Sequence, residues 1–100
     1  MDNLSTLLPD VLRRIASDSD IALIFLKELW PQIVGKEMAA NSRPQNLRKK
    51  RLLVAVPSEV WEKELTGLES IFLNNINNYW RLSLVERIQF IVDLDQNETR

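Results

Sequence analysis

One hundred residues, 45% of them apolar, are enough for one modest hydrophobic core, and we expect a single domain over residues 1–92. The chain has no cysteine and no histidine, which excludes disulfides, thiolate or imidazole metal ligands and histidine-dependent catalytic triads. No apolar run approaches the ~18 residues of a membrane-spanning helix, and the acidic N-terminus lacks the basic start of a signal peptide. The sequence therefore predicts a cytoplasmic protein without membrane contact.

The net charge of −1 hides an uneven distribution of charge. Residues 36–51 carry a net charge of +5, whereas residues 1–35 carry −2 and residues 52–100 carry −4. The basic residues of this island are Lys36, Arg43, Arg48, Lys49, Lys50 and Arg51. Such an island is typical of a solvated hairpin tip that resists edge pairing, or of a contact with phosphates or an acidic partner surface.

Three helices are predicted in the first forty residues. Apolar residues recur with helical spacing from Leu4 to Ile15 and predict a first helix that starts near residues 5–8, with Pro9 in its first turn. The polar residues 17–20 end this helix and cap the second, which is predicted to run to about Trp30. Pro31 predicts a kink or a restart, followed by a short third helix over residues 32–40.

A β-hairpin is predicted next. Residues 41–44 read as a turn, residues 45–48 as a weak strand, and Lys49 with Lys50 as a tight turn. Residues 51–56 alternate with apolar side chains on both faces, which favours a strand inside the sheet.

One long helix and one strand complete the predicted fold. Ser58 is a good N-cap, and apolar residues follow at helical spacing for about 22 residues. Gly67 inside this helix suggests close packing against another backbone, and the asparagines between residues 74 and 78 predict a frayed end. Residues 83–92 alternate as a strand, with Arg87 and Gln89 opposite its apolar face, and residues 93–100 are predicted to be a disordered polar tail. The order α-α-α-β-β-α-β predicts an α+β layer pair, a three-stranded sheet with helices on one face.

No catalytic site is recognisable in the sequence, and we predict no enzyme activity, cofactor or metal ion. The carboxylates are scattered, and Glu59, Glu62, Glu64 and Glu69 are interpreted as a solvated helix face. Trp30 and Trp61 are interpreted as core residues. Trp80 reads as a plug at the helix end or as a stacking platform for single-stranded nucleic acid. Arg87 and Gln89 form another polar pair able to contact a nucleic-acid backbone.

Three segments resemble the DciA-like domain family. Residues 29–35 (LWPQIVG), followed by Ala39 and by Arg43 with Pro44, resemble its W-x-x-V/I-V-G…A…P signature. Residues 52–65 (LLVAVPSEVWEKEL) are similar to its L-x-V-x-V-x-S-x-x-W-x-x-E-L, and residues 85–90 (VERIQF) to its V-x-x-I-x-F strand. The resemblance covers roughly residues 4–92. A glycine common in the family's hairpin is replaced here by residues 49–51 (KKR).

The resemblance implies a KH-like α+β domain without the GXXG loop by which KH domains clamp nucleotides, because Gly35 and Gly67 are the only glycines. It also implies a non-enzymatic bacterial replication protein that binds the DnaB-type replicative helicase and single-stranded DNA and assists helicase loading. The residues expected to contact the DNA phosphates are Arg43, Arg48, Lys49, Lys50 and Arg51. The alternatives are a protein-interaction module without nucleic-acid binding and a degenerate KH-type RNA-binding domain.

Overall fold

A three-stranded mixed sheet with helices packed against it organises residues 9–93, the part of the chain that the computed structural model describes. In chain order the elements are α1 (Pro9–Ser17), α2 (Ser19–Val34), α3 (Lys36–Ala40), β1 (Arg43–Arg48), β2 (Arg51–Val56), α4 (Glu59–Thr66), α5 (Glu69–Trp80) and β3 (Arg87–Val92). The predicted α+β class and element order are confirmed, with the long helix divided into α4 and α5. The predicted helical positions before Pro9 and the tail after Asp93 lie outside the described residues.

The break between the second and third helices lies at Gly35 and not at Pro31, so a restart of the helix at Pro31, one of the two predicted outcomes, is wrong. Helix α2 continues through Pro31, which is exposed, and the Gly35 amide donates a hydrogen bond to the Pro31 carbonyl at 2.9 Å. A proline costs one helical hydrogen bond, but here the bonding resumes at once. The helix ends where Gly35 adopts φ 97°, a conformation that favours glycine. The predicted cap between the first two helices is confirmed, since the Asp18 carboxylate accepts hydrogen bonds from the amides of Asp20 and Ile21.

Strand β1 starts at Arg43, two residues before its predicted start, and the predicted turn is correspondingly shorter. Arg43 pairs with Ala55 and Pro44 with Val54, and the register shifts between Pro44 and Asn46. Pro44 is tolerated because β1 is an edge strand: no strand pairs with its outer side, so a missing amide there costs no hydrogen bond of the sheet. The predicted strand β2 is confirmed, and it lies in the centre of the sheet.

The two-residue turn between β1 and β2 is confirmed, although it lacks the usual Asn-Gly. Arg48 pairs with Arg51, and Lys49 and Lys50 between them have φ values of 50° and 64°. Positive φ at both central residues is the signature of a type I′ turn, whose twist matches that of the flanking strands. The two lysines thus adopt a left-handed backbone conformation, which costs free energy for any residue with a Cβ.

The predicted 22-residue helix is interrupted at Gly67 and Leu68. A Cβ on Gly67 would meet only the carbonyls of Glu64 and Lys63 in its own helix, so the inferred close packing against another backbone is wrong. The Ser58 cap is confirmed, because its hydroxyl accepts a hydrogen bond from the Trp61 amide. After this interruption α5 begins at Glu69, which contacts Ile88 of β3.

Strand β3 begins at Arg87, four residues later than predicted, and runs parallel to β2. On one side of the sheet the core is formed by buried side chains of the strands, α1, α2, α4 and α5. Its strand members are Leu47, Leu52, Val54, Val56, Ile88 and Phe90. Because side chains alternate along a strand, the residues between these face the other side. We call that side the open face: Arg43, Asn46, Arg48, Arg51, Leu53, Ala55, Arg87, Gln89 and Ile91. None of these belongs to the core cluster, and all of them are at least partly exposed except Ala55, which is fully buried.

The asparagine-rich end of α5 is anchored and not frayed, contrary to the prediction. The Asn77 side chain accepts hydrogen bonds from the amides of Leu84 and Val85 at 2.9 and 3.0 Å and donates one to the Val85 carbonyl at 2.9 Å. Leu84 and Val85 are buried, so this one amide satisfies backbone groups that water does not reach easily. Asn77 therefore fixes the loop that delivers the chain to β3.

We predict that Asn77→Ala lowers the free energy of unfolding by about 2–3 kcal/mol, because it removes three hydrogen bonds and leaves buried backbone groups unsatisfied. Urea denaturation followed by circular dichroism measures the change. The matched control is Asn74→Ala on the exposed side of the same helix, where a change within about 0.5 kcal/mol is expected. Similar losses for both variants would contradict the anchoring role of Asn77.

We also predict that replacing the turn by Lys49→Asn and Lys50→Gly stabilises the protein by about 1–2 kcal/mol, because these residues adopt positive φ more easily. The ion pair that Lys50 loses is long and exposed, with Lys50 Nζ 3.9 Å from Glu86 Oε2, and is worth little. The urea midpoint measures the gain. The double variant Lys49→Arg and Lys50→Arg keeps the strained backbone and should leave the midpoint unchanged. A midpoint that falls with Asn-Gly would show that the lysines stabilise the turn.

Candidate nucleic-acid interface

The structure brings four of the five predicted DNA-contacting residues together and separates the fifth. All five are exposed. Arg48, Lys49, Lys50 and Arg51 form the tip of the β1–β2 hairpin, whereas Arg43 lies at the opposite end of β1. At about 3.3 Å per residue the length of β1 places Arg43 roughly 15 Å from the tip. A ligand that contacts all five residues must therefore extend along the sheet.

The lysines and the arginines of the hairpin tip lie on different surfaces. Arg48 and Arg51 are directly paired, and both belong to the open face. Lys49 and Lys50 line a hollow of about 390 Å³ between the turn, the α1–α2 corner and the loop before β3. Other residues that line this hollow are Ile15, Ala22, Leu47 and Leu84. The hollow thus combines apolar side chains with two cations.

The hairpin tip is held by the start of β3. The Lys50 carbonyl accepts hydrogen bonds from the amides of Glu86 and Arg87 at 2.7 and 3.2 Å. The Lys50 ammonium also lies 3.9 Å from the Glu86 carboxylate, but both side chains are well exposed, so this pair contributes little. The backbone contacts are the ones that fix the turn beside β3.

Arg87 extends the basic group across the third strand. In the parallel register Arg51 lies beside Arg87, just as Arg48 lies beside Arg51 in the antiparallel one. We call these three residues (Arg48, Arg51 and Arg87) the arginine row. Neighbouring strands are about 4.8 Å apart, so the row crosses the open face at right angles to the strands. The sequence singled out Arg87 through the alternation of β3, but its alignment with Arg51 follows only from the strand register.

The arginine row concentrates positive charge beside two acidic side chains, since Glu62 and Glu69 line the same hollow as Arg51 and Arg87. Within residues 9–93, Arg48 and Arg51 form no ion pair, and Arg87 forms one, with its Nε 3.4 Å from Glu69 Oε2. Like charges in directly paired positions repel each other. An anion bound across the row relieves that repulsion, and guanidinium groups bind phosphate or carboxylate oxygens with two parallel hydrogen bonds.

Glu69 is more than part of a solvated helix face, and for this residue that interpretation is wrong. Its Oε2 atom accepts a hydrogen bond from the Ile88 amide at 2.8 Å and one from Arg87 Nε at 3.4 Å. The side chain retains 24% of its exposure. Because β3 is an edge strand, this carboxylate satisfies one outward-pointing amide of the sheet. It also holds the Arg87 side chain at the rim of the open face.

The aromatic side chains lie away from the open face. Trp30 is buried and its Nε1 donates a hydrogen bond to Ser42 Oγ at 3.0 Å. Trp80 is only 1% exposed, so it is a plug at the helix end and not a stacking platform. Trp61 is half-buried against the core. Burial raises the pKa of Tyr79, whose hydroxyl donates to Gln32 Oε1. Among the described residues, the open face thus offers charged, amide and aliphatic side chains but no aromatic ring.

Two other kinds of site find no support in the described part of the chain. Residues 9–93 contain no group of three or more acidic side chains arranged to hold a metal ion. No helix among them is long and apolar enough to cross a membrane.

Comparison with known proteins agrees with the resemblance seen in the sequence. No curated protein matches the chain. A family model described as "Dna[CI] antecedent, DciA" matches residues 3–90, which include the hairpin and most of β3. Because the match spans most of its length, the chain belongs to the DciA family, whose role lies in bacterial DNA replication in association with the DnaB-type helicase.

Proposed function

We propose that this protein is a non-enzymatic, cytoplasmic accessory factor of DNA replication that binds the DnaB-type replicative helicase and single-stranded DNA and thereby assists helicase loading. Membership of the DciA family supports the helicase part of this proposal. The DNA part rests on the basic hairpin, with Arg43, Arg48, Lys49, Lys50 and Arg51 as the residues that contact phosphates.

The observation that carries the DNA contact is the conformation of the turn. Lys49 and Lys50 occupy two consecutive positions with positive φ, where asparagine and glycine fit with less strain. Strained backbone positions occur preferentially where the residue serves a function, so such an outlier motivates a functional hypothesis. Two lysines here add positive charge at the tip, between Arg48 and Arg51, and phosphate is a ligand that such a tip attracts.

We predict that the protein binds fluorescently labelled single-stranded DNA with a slope of log K against log salt near −3, as expected for about four neutralised phosphates. The triple variant Lys49→Ala, Lys50→Ala and Arg51→Ala should bind at least tenfold more weakly, and its slope should shrink by about 2. Fluorescence anisotropy at several salt concentrations measures both quantities.

The matched control removes three exposed positive charges elsewhere, with Arg13→Ala and Arg14→Ala on α1 and Lys63→Ala on α4. It has the same net charge as the hairpin variant and should bind nearly as the wild type does. Equal affinities and slopes for the wild type and the hairpin variant would contradict the phosphate contact.

The hollow beside the turn favours a second candidate, a protein-interaction module that does not need nucleic acid. Its apolar residues and the cations Lys49 and Lys50 at its rim fit an apolar, acidic segment of a partner. Binding to the purified replicative helicase without binding to bare DNA would favour this candidate. Tighter binding to RNA than to DNA of the same sequence would instead favour a degenerate KH-type RNA-binding domain.

A further inference from the structure

The open face carries three rows of side chains at right angles to its strands. The first is the arginine row. The second, which we call the amide row, consists of Asn46, Leu53 and Gln89, aligned by the registers Asn46 to Leu53 and Leu53 to Gln89. The third consists of Arg43, Ala55 and Ile91. On β2 and β3 consecutive rows are two residues apart, about 6.6 Å along the strands, whereas on β1 the register shift between Pro44 and Asn46 leaves Arg43 and Asn46 three residues apart.

We propose that this open face binds a single strand of DNA, with the arginine row on the phosphates and the amide row against the unpaired bases. The proposal rests on the proposed function and deepens it, because it adds Arg87, Asn46 and Gln89 to the interface and extends the phosphate contacts along a row that crosses all three strands. The hairpin lysines continue these phosphate contacts at the end of the row.

The charges of the face select an anion with several negative groups at regular spacing. The three arginines stand on neighbouring strands, whose backbones lie about 4.8 Å apart, and Arg48 and Arg51 have no carboxylate partner among residues 9–93. Arg87 contacts Glu69 only through Nε, at 3.4 Å, and its side chain remains well exposed, so a phosphate can still reach its guanidinium group. A phosphodiester backbone supplies such a series of oxygens and suits the bidentate geometry of arginine.

The amide row selects unpaired bases over a duplex. Asn46 and Gln89 are exposed and make no side-chain hydrogen bond to any described residue. Their amides both donate and accept, so they complement the polar edges of bases. In a duplex the pairing edges of the bases are turned toward each other, so the amide row can contact these edges only where the bases are unpaired. Leu53 lies between the two amides, partly exposed, and offers an apolar surface to a base.

Substitutions in the arginine row and in the amide row are expected to affect the salt dependence of DNA binding differently, which tests the two rows separately. Arg87→Gln should weaken binding to labelled single-stranded DNA about three- to tenfold and reduce the salt slope by about 0.7, the value of one phosphate on a single strand. Arg87→Lys keeps the charge and should restore the slope while leaving the affinity below that of the wild type. Gln89→Ala and Asn46→Ala should weaken binding without changing the slope. Arg14→Gln on α1 is the charge-matched control and should change neither quantity.

The outcomes distinguish this proposal from the function on which it rests. If the Arg87 and Gln89 variants bind as the wild type does while the Lys49, Lys50 and Arg51 triple variant is weakened, the open-face assignment is overturned and DNA binding stands. If the wild type binds no single-stranded DNA, the proposed DNA contact fails and the open-face assignment with it. If Arg87→Gln loses binding to the purified helicase but not to DNA, the face is a protein-docking surface and the assignment is overturned. Circular dichroism of each variant verifies that it is folded.

Discussion

The parallel pairing of β3 with the central strand β2 is the constraint on which the rest of the architecture depends. Parallel neighbours cannot be joined by a tight turn, so the chain must return along the sheet before β3 can start. Helices α4 and α5 make this return, and their buried residues pack on the same side as those of α1 and α2. Every described helix thereby contributes to one core, and the other side of the sheet is left as the open face. The position of the candidate site is thus a consequence of strand direction.

The same pairing brings charges together at one corner of the molecule. The antiparallel register sets Arg48 against Arg51, and the parallel register sets Arg51 against Arg87. The turn that joins β1 to β2 adds two lysines in a backbone conformation that favours other residues. These features oppose folding, and the fully buried side chains of Leu52, Val54 and Val56 on the reverse of the sheet offset them. Strand β2 therefore carries its stabilising apolar side chains on the core face and its charged Arg51 on the open face.

The sequence predicted the features that depend on near neighbours. The caps at Asp18 and Ser58, strand β2 and the two-residue turn involve residues within about four positions of each other, and all are confirmed. Two of the wrong predictions concern positions whose role is set from a distance. Asn77 holds residues 84 and 85, and Glu69 holds Ile88 from nineteen positions away. Helix propensity carries no information about such contacts, because the partner is brought near only by the completed sheet.

The candidate site likewise has one part that the sequence predicts and another that only the strand register reveals. A run of four basic residues is visible in the sequence, but the sequence does not reveal that Arg87 continues it or that Arg43 stands apart, since both follow from strand register. The near-neutral net charge conceals the site further, because exposed acidic side chains such as Asp20, Glu28 and Glu59 lie on the helices. Charges separated in this way orient an approaching polyanion toward the open face and away from the helical side. What the topology adds to the composition is therefore the direction in which the positive charge of the arginine row faces.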